Sequence, residues 1–402
     1  MIELDQAWRH IEQSVRPLGS IDISIERAAG HVLAEIVVSP INVCPFRSSA
    51  MDGFAVRAEW LEQACSKQPV TLDIAATMFA GDALPVDPLP NGAIKIMTGA
   101  IVPDRFDSVV RFEDTTYDDK SVTFVSTVTP GTNLREAGED VQQGQTLFSS
   151  GYRLHPVDTG ILAGIGLTSV RAVAKPSLLV AGTGNEVISA GQPLRQGQVY
   201  NSNEQTICSL LSTLSSRVCR LGIAGDHVEA LTKLLMREED VLITSGGVSA
   251  GEKDLLVGAA EACGWTTVFH RVRIKPGKPV YFATRGRQLL LGLPGNPLST
   301  AVTCALFAIP VLKKLAGRTD YFPKPKPAEL ASGSVRKSGR MLIWPGTIQE
   351  NCSGLQAEFA DKKSSSALSA LLGSDGLIFQ RLPVNESGQP KIEVLTWEQI
   401  LN

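Results

Sequence analysis

The sequence predicts a multidomain α/β-plus-β protein, with a parallel-sheet α/β domain, a β-rich domain inserted ahead of it and a β-barrel-like C-terminal domain. Three observations carry this. The chain has 402 residues, which at about 150 per domain gives two to four domains. Its middle part alternates apolar runs with helical patterns, the signature of βαβ units. On either side the texture changes to short β-rich runs separated by Gly, Pro, Asp and Asn.

Taken in chain order, Leu4, Trp8, Ile11 and Val15 recur at helical spacing and end near Pro17, which predicts a packing helix. From residue 45 to about 140 the runs VTLDIAATMF, AIKIMTGAIV, SVVRFED and SVTFVSTV predict a small barrel or sandwich. From about residue 175, SLLVAG, VCRLGIA, DVLITSGG and QLLLGLPG read as strands, with helical patterns through Ile207–Leu214, Leu231–Leu235 and Leu298–Leu315. FPKPKPAEL (322–330) reads as a connector, because alternating prolines cannot supply ladder hydrogen bonds. VRKSGRMLIWPGTI, GLIFQRL and KIEVL then form a second β-rich domain. The expected segments are 1–44 with 141–174 (a central, discontinuous domain), 45–140, 175–318 and 319–402.

Composition excludes several classes. With 38 Lys+Arg against 41 Asp+Glu, the net charge of −3 leaves no global positive field to hold nucleic acid or an anionic membrane, and neither is expected as a partner. Charged residues at 20% and hydrophobic ones at 43% match an ordinary globular protein, not a disordered one. The longest apolar run, 301–312, contains Pro310 and falls short of the roughly 20 residues of a membrane span, so it reads as a core helix. Glu3 and Asp5 stand where a signal peptide has a basic region, so the expected location is cytoplasmic. Seven cysteines without a CxxC pair argue against a disulfide framework or zinc knuckle; most are expected to be buried thiols.

In an open α/β sheet the ligand crevice lies beyond the carboxyl ends of the strands. Three strands end in glycine-bearing loops: GTGNE with Gly182 and Glu186, SGGVSAGEKD with Ser245, Gly246, Gly247, Ser249 and Asp254, and PGNP with Pro294 and Asn296. Loops of this kind present backbone N–H groups to phosphate, although each alone also serves merely to turn the chain. Glu186, Asp226 and Asp254 supply carboxylates able to hold Mg²⁺ beside substrate phosphates. Asp226 followed by Glu229 is equally a helix-capping pair. RVRIKPGKP reads either as a strand with Arg271, Arg273 and Lys275 on one solvated face or as an oxyanion clamp through Lys275 and Lys278. In the β-rich segment Asp52 stands on a DG pair, most simply a hairpin turn, and REAGED (Arg135 to Asp140) reads as a charged loop. The five histidines show no metal-ligand spacing, and GxSxG and GxxxxGK[ST] are both missing.

Taken together, SSAMDGFAV, IMTGA, NLREAGEDV, GTGNE, YNSN, TSGGVSAGEKD, IKPGKP and LPGNP resemble, in this order, the MoeA family and the gephyrin E domain, the molybdopterin molybdenumtransferases. The resemblance implies an elongated homodimer of four-domain subunits with a MoaB/Mog-like α/β domain. It also implies Mg²⁺-dependent cleavage of adenylylated molybdopterin, with insertion of molybdate and release of AMP. Residue by residue, Glu186, Asp226 and Asp254 match acidic positions around nucleotide and metal, and Ser245, Gly246, Gly247 and Ser249 match the pterin and phosphate loop. Asp52 and Thr98 match functional positions of the MDGYAV-like and MTGA-like motifs, and Arg135 and Asp140 match RxxGED. Lys275, Lys278, Arg340 and a serine at Ser366 or Ser369 resemble the molybdate-contacting set. Arg47, Ser48 and Asn185 depart from the family's usual Asp, Asn and Asp. The implied partners are a molybdopterin adenylyltransferase as donor and a molybdoenzyme or chaperone as acceptor. Three other readings stay open: a molybdopterin adenylyltransferase, a non-catalytic scaffold dimer like gephyrin, and, because of Arg47, an inactive or altered paralogue that prefers tungstate.

Overall fold

A computed structural model describes residues 1–84, 91–225, 227–248, 255–331, 335–352, 354–381 and 390–402. Two compact units emerge: one of Met1–Asp22, His31–Ala34 and Arg171–Asn402, the other of Ile23–Gly30 and Glu35–Val170.

The second unit is built on β1 (Gly53–Val56), β2 (Val70–Met78), β3 (Ala93–Ile96), β4 (Ser108–Arg111), β5 (Thr115–Tyr117) and β6 (Ser121–Phe124), in the order β4-β1-β3-β2-β6-β5. Only β2 and β3 run parallel. Both faces are buried. Phe54 and Val56 join one cluster with Val122 and Phe124, while Ala55 joins another with Ile94, Ile96 and Phe106, which is why GFAV is apolar throughout instead of alternating. The hairpin expected at the DG pair is not formed. β1 pairs with β3 and β4, and Ser48–Ser49, just before it, pairs with Leu134–Arg135. Gly53 lies inside β1, where a Cβ would stand 2.1 Å from Val110 O, so the glycine serves close strand approach and not a turn.

The first unit begins with helix α1 (Leu4–Ser14), whose Leu4, Ala7 and Ile11 are buried. Its α/β sheet comprises β7 (Ser177–Thr183), β8 (Arg217–Ala224), β9 (Val241–Ser245), β10 (Thr266–His270), β12 (Tyr281–Arg285) and β13 (Gln288–Leu293), with the short β11 (Ile274–Lys275) lying outside it. The order is β8-β7-β9-β13-β12-β10; the first four are parallel, and β12 and β10 are antiparallel additions. Leu178 and Val180 face one core with α1 and helix α2 (Ser202–Leu211), whereas Leu179 and Ala181 face the other with α3 (Val228–Leu235) and α4 (Leu256–Ala262). A doubly covered strand has no polar face, which accounts for the run SLLVAG.

The expected core helix forms as α5, spanning Pro297–Leu315, with a widened turn at Cys304–Ala308. It is long and apolar enough to cross a bilayer, yet 94% of it is buried inside the protein. Pro310 has no N–H to offer the carbonyl of Leu306 four residues earlier. Trp8 Nε1 donates to that carbonyl at 2.9 Å. Sequence positions 298 apart therefore satisfy one another, and the indole ties α1 to the central helix.

The C-terminal sheet contains β14 (Lys326–Pro327), β15 (Glu329–Leu330), β16 (Met341–Asn351), β17 (Gly354–Phe359), β18 (Gly376–Gln380) and β19 (Ile392–Thr396), and helix α6 (Trp397–Leu401) follows. The order is β14-β19-β18-β16-β17-β15. The stretch expected to be a bare connector thus supplies both edges: β14 pairs with β19 and β15 with β17, nearly closing the sheet into a barrel. Prolines are tolerated there because an edge strand bonds on one side only.

Two further expectations are corrected. RVRIKPGKP is not one continuous strand: Arg271 has φ +72°, Arg273 pairs with Glu3 at 3.2 Å, and β11 leaves the α/β sheet to pair in parallel with β16. The three cations consequently do not share one strand face. All seven cysteines are free, but only Cys208 and Cys304 are buried; Cys65 and Cys352 are exposed and the others half-buried. Burial pushes the Cys304 thiol well above its ordinary range.

Candidate functional site

The carboxyl ends of β7, β9 and β13 bring their three loops to one edge of the sheet, as parallel topology requires. They open on a cleft of about 1040 Å³. Its walls include Gly182, Gly184 and Glu186 from the first loop, Ser245, Gly246 and Gly247 from the second, and Pro294 and Asn296 from the third. The lining also includes Lys275 and Lys278, and Arg340, Trp344 and the 363–366 stretch.

Each loop is held from behind. Gly246 has φ +102°, its N–H donates to Leu293 O at 3.0 Å, and a Cβ there would lie 2.5 Å from Thr183 Oγ1. Glycine is therefore required both by conformation and by space. Gly247 follows at φ +69°, and its N–H has no protein acceptor among the described residues. Ser245, which the sequence offered as a ligand group, is only 3% exposed, and its Oγ donates to Pro294 O at 3.1 Å. Asn203, at the start of α2, donates to Ser245 Oγ at 2.8 Å and to Gly295 O at 2.7 Å. Asn201 caps α2 by accepting from the Glu204 N–H at 3.2 Å, and it donates to Glu204 Oε2 at 3.0 Å. Burial raises the Glu204 carboxyl above its ordinary range, against the pull of Arg220.

The cationic wall is positioned by β11. Its pairing sets Lys275 against Leu342 of β16, and Arg340 Nη1 donates to Ile274 O at 2.9 Å. Gly277 at φ +92° packs so closely on α5 that a Cβ would lie 2.3 Å from Thr303 Cγ2. The side chains of Lys275, Lys278 and Lys363 make no hydrogen bond or ion pair with protein among the described residues. Ser366 lines the cleft, with its Oγ 2.7 Å from Ser364 Oγ, and Asn296 Nδ2 donates to Ser365 Oγ at 3.0 Å. Ser369 is placed in the helical turn Leu368–Leu371 and is not part of the cleft wall.

Asp226, Ser249 and Asp254 lie outside the described residues. The N-cap of α3 is His227, whose side chain accepts from the Ala230 N–H at 3.3 Å and whose Nδ1 is 3.1 Å from Glu229 Oε2; the capping pair expected at Asp226 and Glu229 includes a residue outside the described ones. No group of three His, Cys, Asp or Glu able to hold a metal occurs among the described residues. Glu186 is the described carboxylate on the cleft wall, and a Cβ at Gly184 would lie 2.9 Å from both of its oxygens. The missing side chain leaves that hard-oxygen donor open, which suits Mg²⁺.

In the other unit, Asp52 Oδ1 accepts from the Thr98 N–H at 2.7 Å and from Thr98 Oγ1 at 2.8 Å. These bonds hold the exposed Asp52 carboxyl below its ordinary range, the backbone donor being the larger cause. Arg135 is exposed and pairs in register with Ser48; Asp140 is exposed after a tight turn closed by the Glu139 N–H donating to Glu136 O at 3.2 Å. Arg47 turns back on its own unit, donating to Phe106 O at 2.7 Å and Pro103 O at 3.1 Å. Sequence reasoning assigned no role to Asn203, Trp344 or Lys363; YNSN and the KKSSS run were the available signals.

An α/β sheet whose three glycine loops line one cleft with lysines and an arginine has the make-up of an anion-binding site. Residues 2–166 match the family model for the MoeA N-terminal region (domain I and II), and residues 182–314 match that for a probable molybdopterin binding domain. The molybdopterin molybdenumtransferase of Haemophilus influenzae is 34% identical over 94% of both chains, and that of Bacillus subtilis 32% identical over 88% of this chain and 87% of its own. A crystal structure of the molybdopterin biosynthesis MoeA protein from Pyrococcus horikoshii is 29% identical, with a TM-score of 0.82 over 98% of this chain and 99% of its own. The chain belongs to the MoeA family, the molybdopterin molybdenumtransferases of molybdenum cofactor biosynthesis.

Proposed function

We propose that the cleft binds adenylylated molybdopterin and molybdate, releasing AMP as molybdenum enters the dithiolene. One observation carries the reading: three glycine loops and the cations Lys275, Lys278 and Arg340 line the same cleft of about 1040 Å³. Backbone N–H groups of the Gly246–Gly247 loop would hold phosphate charge without reorganising during reaction. The lysines and Arg340, with Ser366, would attract the molybdate dianion and hold it beside the sulfurs. Glu186, with Asp226 and Asp254 as the resemblance implies, would hold Mg²⁺, which neutralises pyrophosphate oxygens. Asp52 and Thr98 remain candidate catalytic residues, Arg135, Asp140 and Ser249 candidate substrate-binding ones, and Ser369 a candidate molybdate contact.

We further read the protein as a cytoplasmic homodimer of subunits with four segments, receiving its substrate from a molybdopterin adenylyltransferase and passing its product to a molybdoenzyme or chaperone. Seven free thiols support a reducing compartment.

The test is AMP release from adenylylated molybdopterin by the purified protein with Mg²⁺, with and without molybdate, following the metallated cofactor in parallel. Molybdate-stimulated AMP release with cofactor formation is the expected result. Tight pterin binding without AMP release would favour a carrier or scaffold, and ATP consumption without molybdate dependence an adenylyltransferase. Glu186→Gln is expected to lower AMP release at least tenfold at limiting Mg²⁺, on the order of what a metal-site perturbation costs; an unchanged Mg²⁺ dependence would remove Glu186 from the metal site.

A further inference from the structure

Beside the cleft, on the C-terminal sheet, lies a second hollow of about 500 Å³. Lys275, Trp344 and Lys363 line both spaces, so the two share a wall. Arg336 and Lys337 belong to the second hollow alone, as do Glu358 and Asp361.

Arg336 is fixed in place. Its guanidinium lies 5.5 Å from the Trp344 ring and 4.7 Å from that of Phe359, and Nη2 donates to Ala360 O at 2.7 Å. Its backbone is clamped by Gln380, which accepts from the Arg336 N–H at 2.9 Å and donates to Arg336 O at 2.6 Å. Around this immobilised cation stand Lys275, Lys337 and Lys363, whose ammonium groups have no hydrogen bond or ion pair with protein among the described residues. Glu358 and Asp361 are on the same wall, and Asp361 acts electrostatically on Arg336, yet among the described residues neither comes within ion-pair distance of these cations. Like charges converging on one concavity raise its positive potential, and the field is strongest where low-dielectric walls such as Trp344 and Phe359 confine it. The most direct relief is a small anion accepting charge-assisted hydrogen bonds from several of them at once. The two carboxylates disfavour a long polyanion.

We propose that the second hollow is a binding site for a small tetrahedral oxyanion, separate from the cleft, and that the two anions bind together but each weakens the other, because both draw on Lys275 and Lys363. The identity of the cleft's oxyanion as molybdate rests on the function proposed above; the existence of the second site does not. A protein arranged in this way is inhibited by sulfate or phosphate bound outside the cleft, through neutralisation of the shared lysines.

The experiment is calorimetric titration of the full-length protein with sulfate, phosphate and molybdate in turn, at low ionic strength because exposed charges are screened within about 10 Å at 0.1 M salt. Lys337→Glu removes a cation that only the hollow possesses, and Lys278→Ala one that only the cleft possesses. Both residues are exposed, so both variants should fold, which circular dichroism checks. Wild type should bind two anions per chain and each variant one, with Lys337→Glu weakening the hollow roughly tenfold or more, the scale of a lost charge-assisted hydrogen bond. Lys337→Glu should also relieve inhibition of molybdate binding by sulfate. One anion per chain in wild type, or two retained in Lys337→Glu, would overturn the second site. Two-anion binding together with no AMP release would leave this site standing and count against the transferase reading instead.

Discussion

Asn203 Nδ2 donates to Ser245 Oγ across 2.8 Å, and the same amide donates to Gly295 O across 2.7 Å. One side chain at the start of α2 therefore locks the loop after β9 to the loop after β13, and Ser245 completes the tie by donating to Pro294 O at 3.1 Å. The two loops cannot shift independently while this amide is in place.

Asn203→Ala should release them. Each lost hydrogen bond costs about 0.5–1.5 kcal/mol, since the Gly295 carbonyl is exposed and can turn to water, and a domain of this size loses roughly 2–4 °C of melting temperature per kcal/mol. The expected outcome is a modest fall in thermal stability with a larger loss in affinity for the pterin substrate. Calorimetry and substrate titration check it; unchanged substrate affinity alongside the lower melting temperature would show that the tie serves stability alone.

Gly246→Ala tests the loop from the other side. The new Cβ would meet Thr183 Oγ1 at 2.5 Å and Thr183 O at 3.0 Å in a backbone with φ +102°. Overpacking alone costs about 1–3 kcal/mol, and the left-handed conformation adds to it. AMP release should fall at least tenfold, and near-wild-type release would show that the loop does not hold phosphate.

For Asp52 the prediction concerns pH. Thr98 holds its carboxyl below the ordinary 3.8, so the tie contributes fully above that value and is lost as pH falls through the lowered one. Thr98→Ala removes the hydroxyl but keeps the backbone N–H, which is the larger cause. NMR titration should find the Asp52 value raised in the variant, still short of 3.8. A value unmoved by the substitution would mean that the hydroxyl bond contributes nothing in solution.

Arg47→Asp would place there the aspartate that the resemblance leads one to expect. Here it should destabilise, because it deletes the bonds to Phe106 O and Pro103 O and the ion pair of the guanidinium with Asp104 at 4.0 Å. About 1–3 kcal/mol is expected, read as a lower melting temperature with AMP release unchanged at 25 °C. A change in turnover at constant stability would assign Arg47 to substrate instead.

Much of the fold was legible because burial leaves a pattern. SLLVAG and DVLIT are apolar throughout since both sides of their sheet are covered, and the helical spacing of Leu4 and Ile11 marks the face that enters the core. The three glycine loops could be named because parallel strands deliver their ends to one edge. The pairing partners could not. A DG pair looks like a hairpin until β1 is seen between β3 and β4, and the Lys/Pro stretch looks like a linker until its two halves reach opposite edges of one sheet.

By itself the sequence determined the fold class, the glycine loops and the lysines of IKPGKP, since these follow from local spacing and residue chemistry. Tertiary structure decided what touches what. Trp8 bonds the Leu306 carbonyl, to which Pro310 can offer no N–H, Asn203 ties Ser245 to Gly295, and β11 leaves its own sheet to set Lys275 beside β16. Such contacts join residues up to 298 positions apart. Spacing along a chain carries no information about them, because they exist only once the cores have packed.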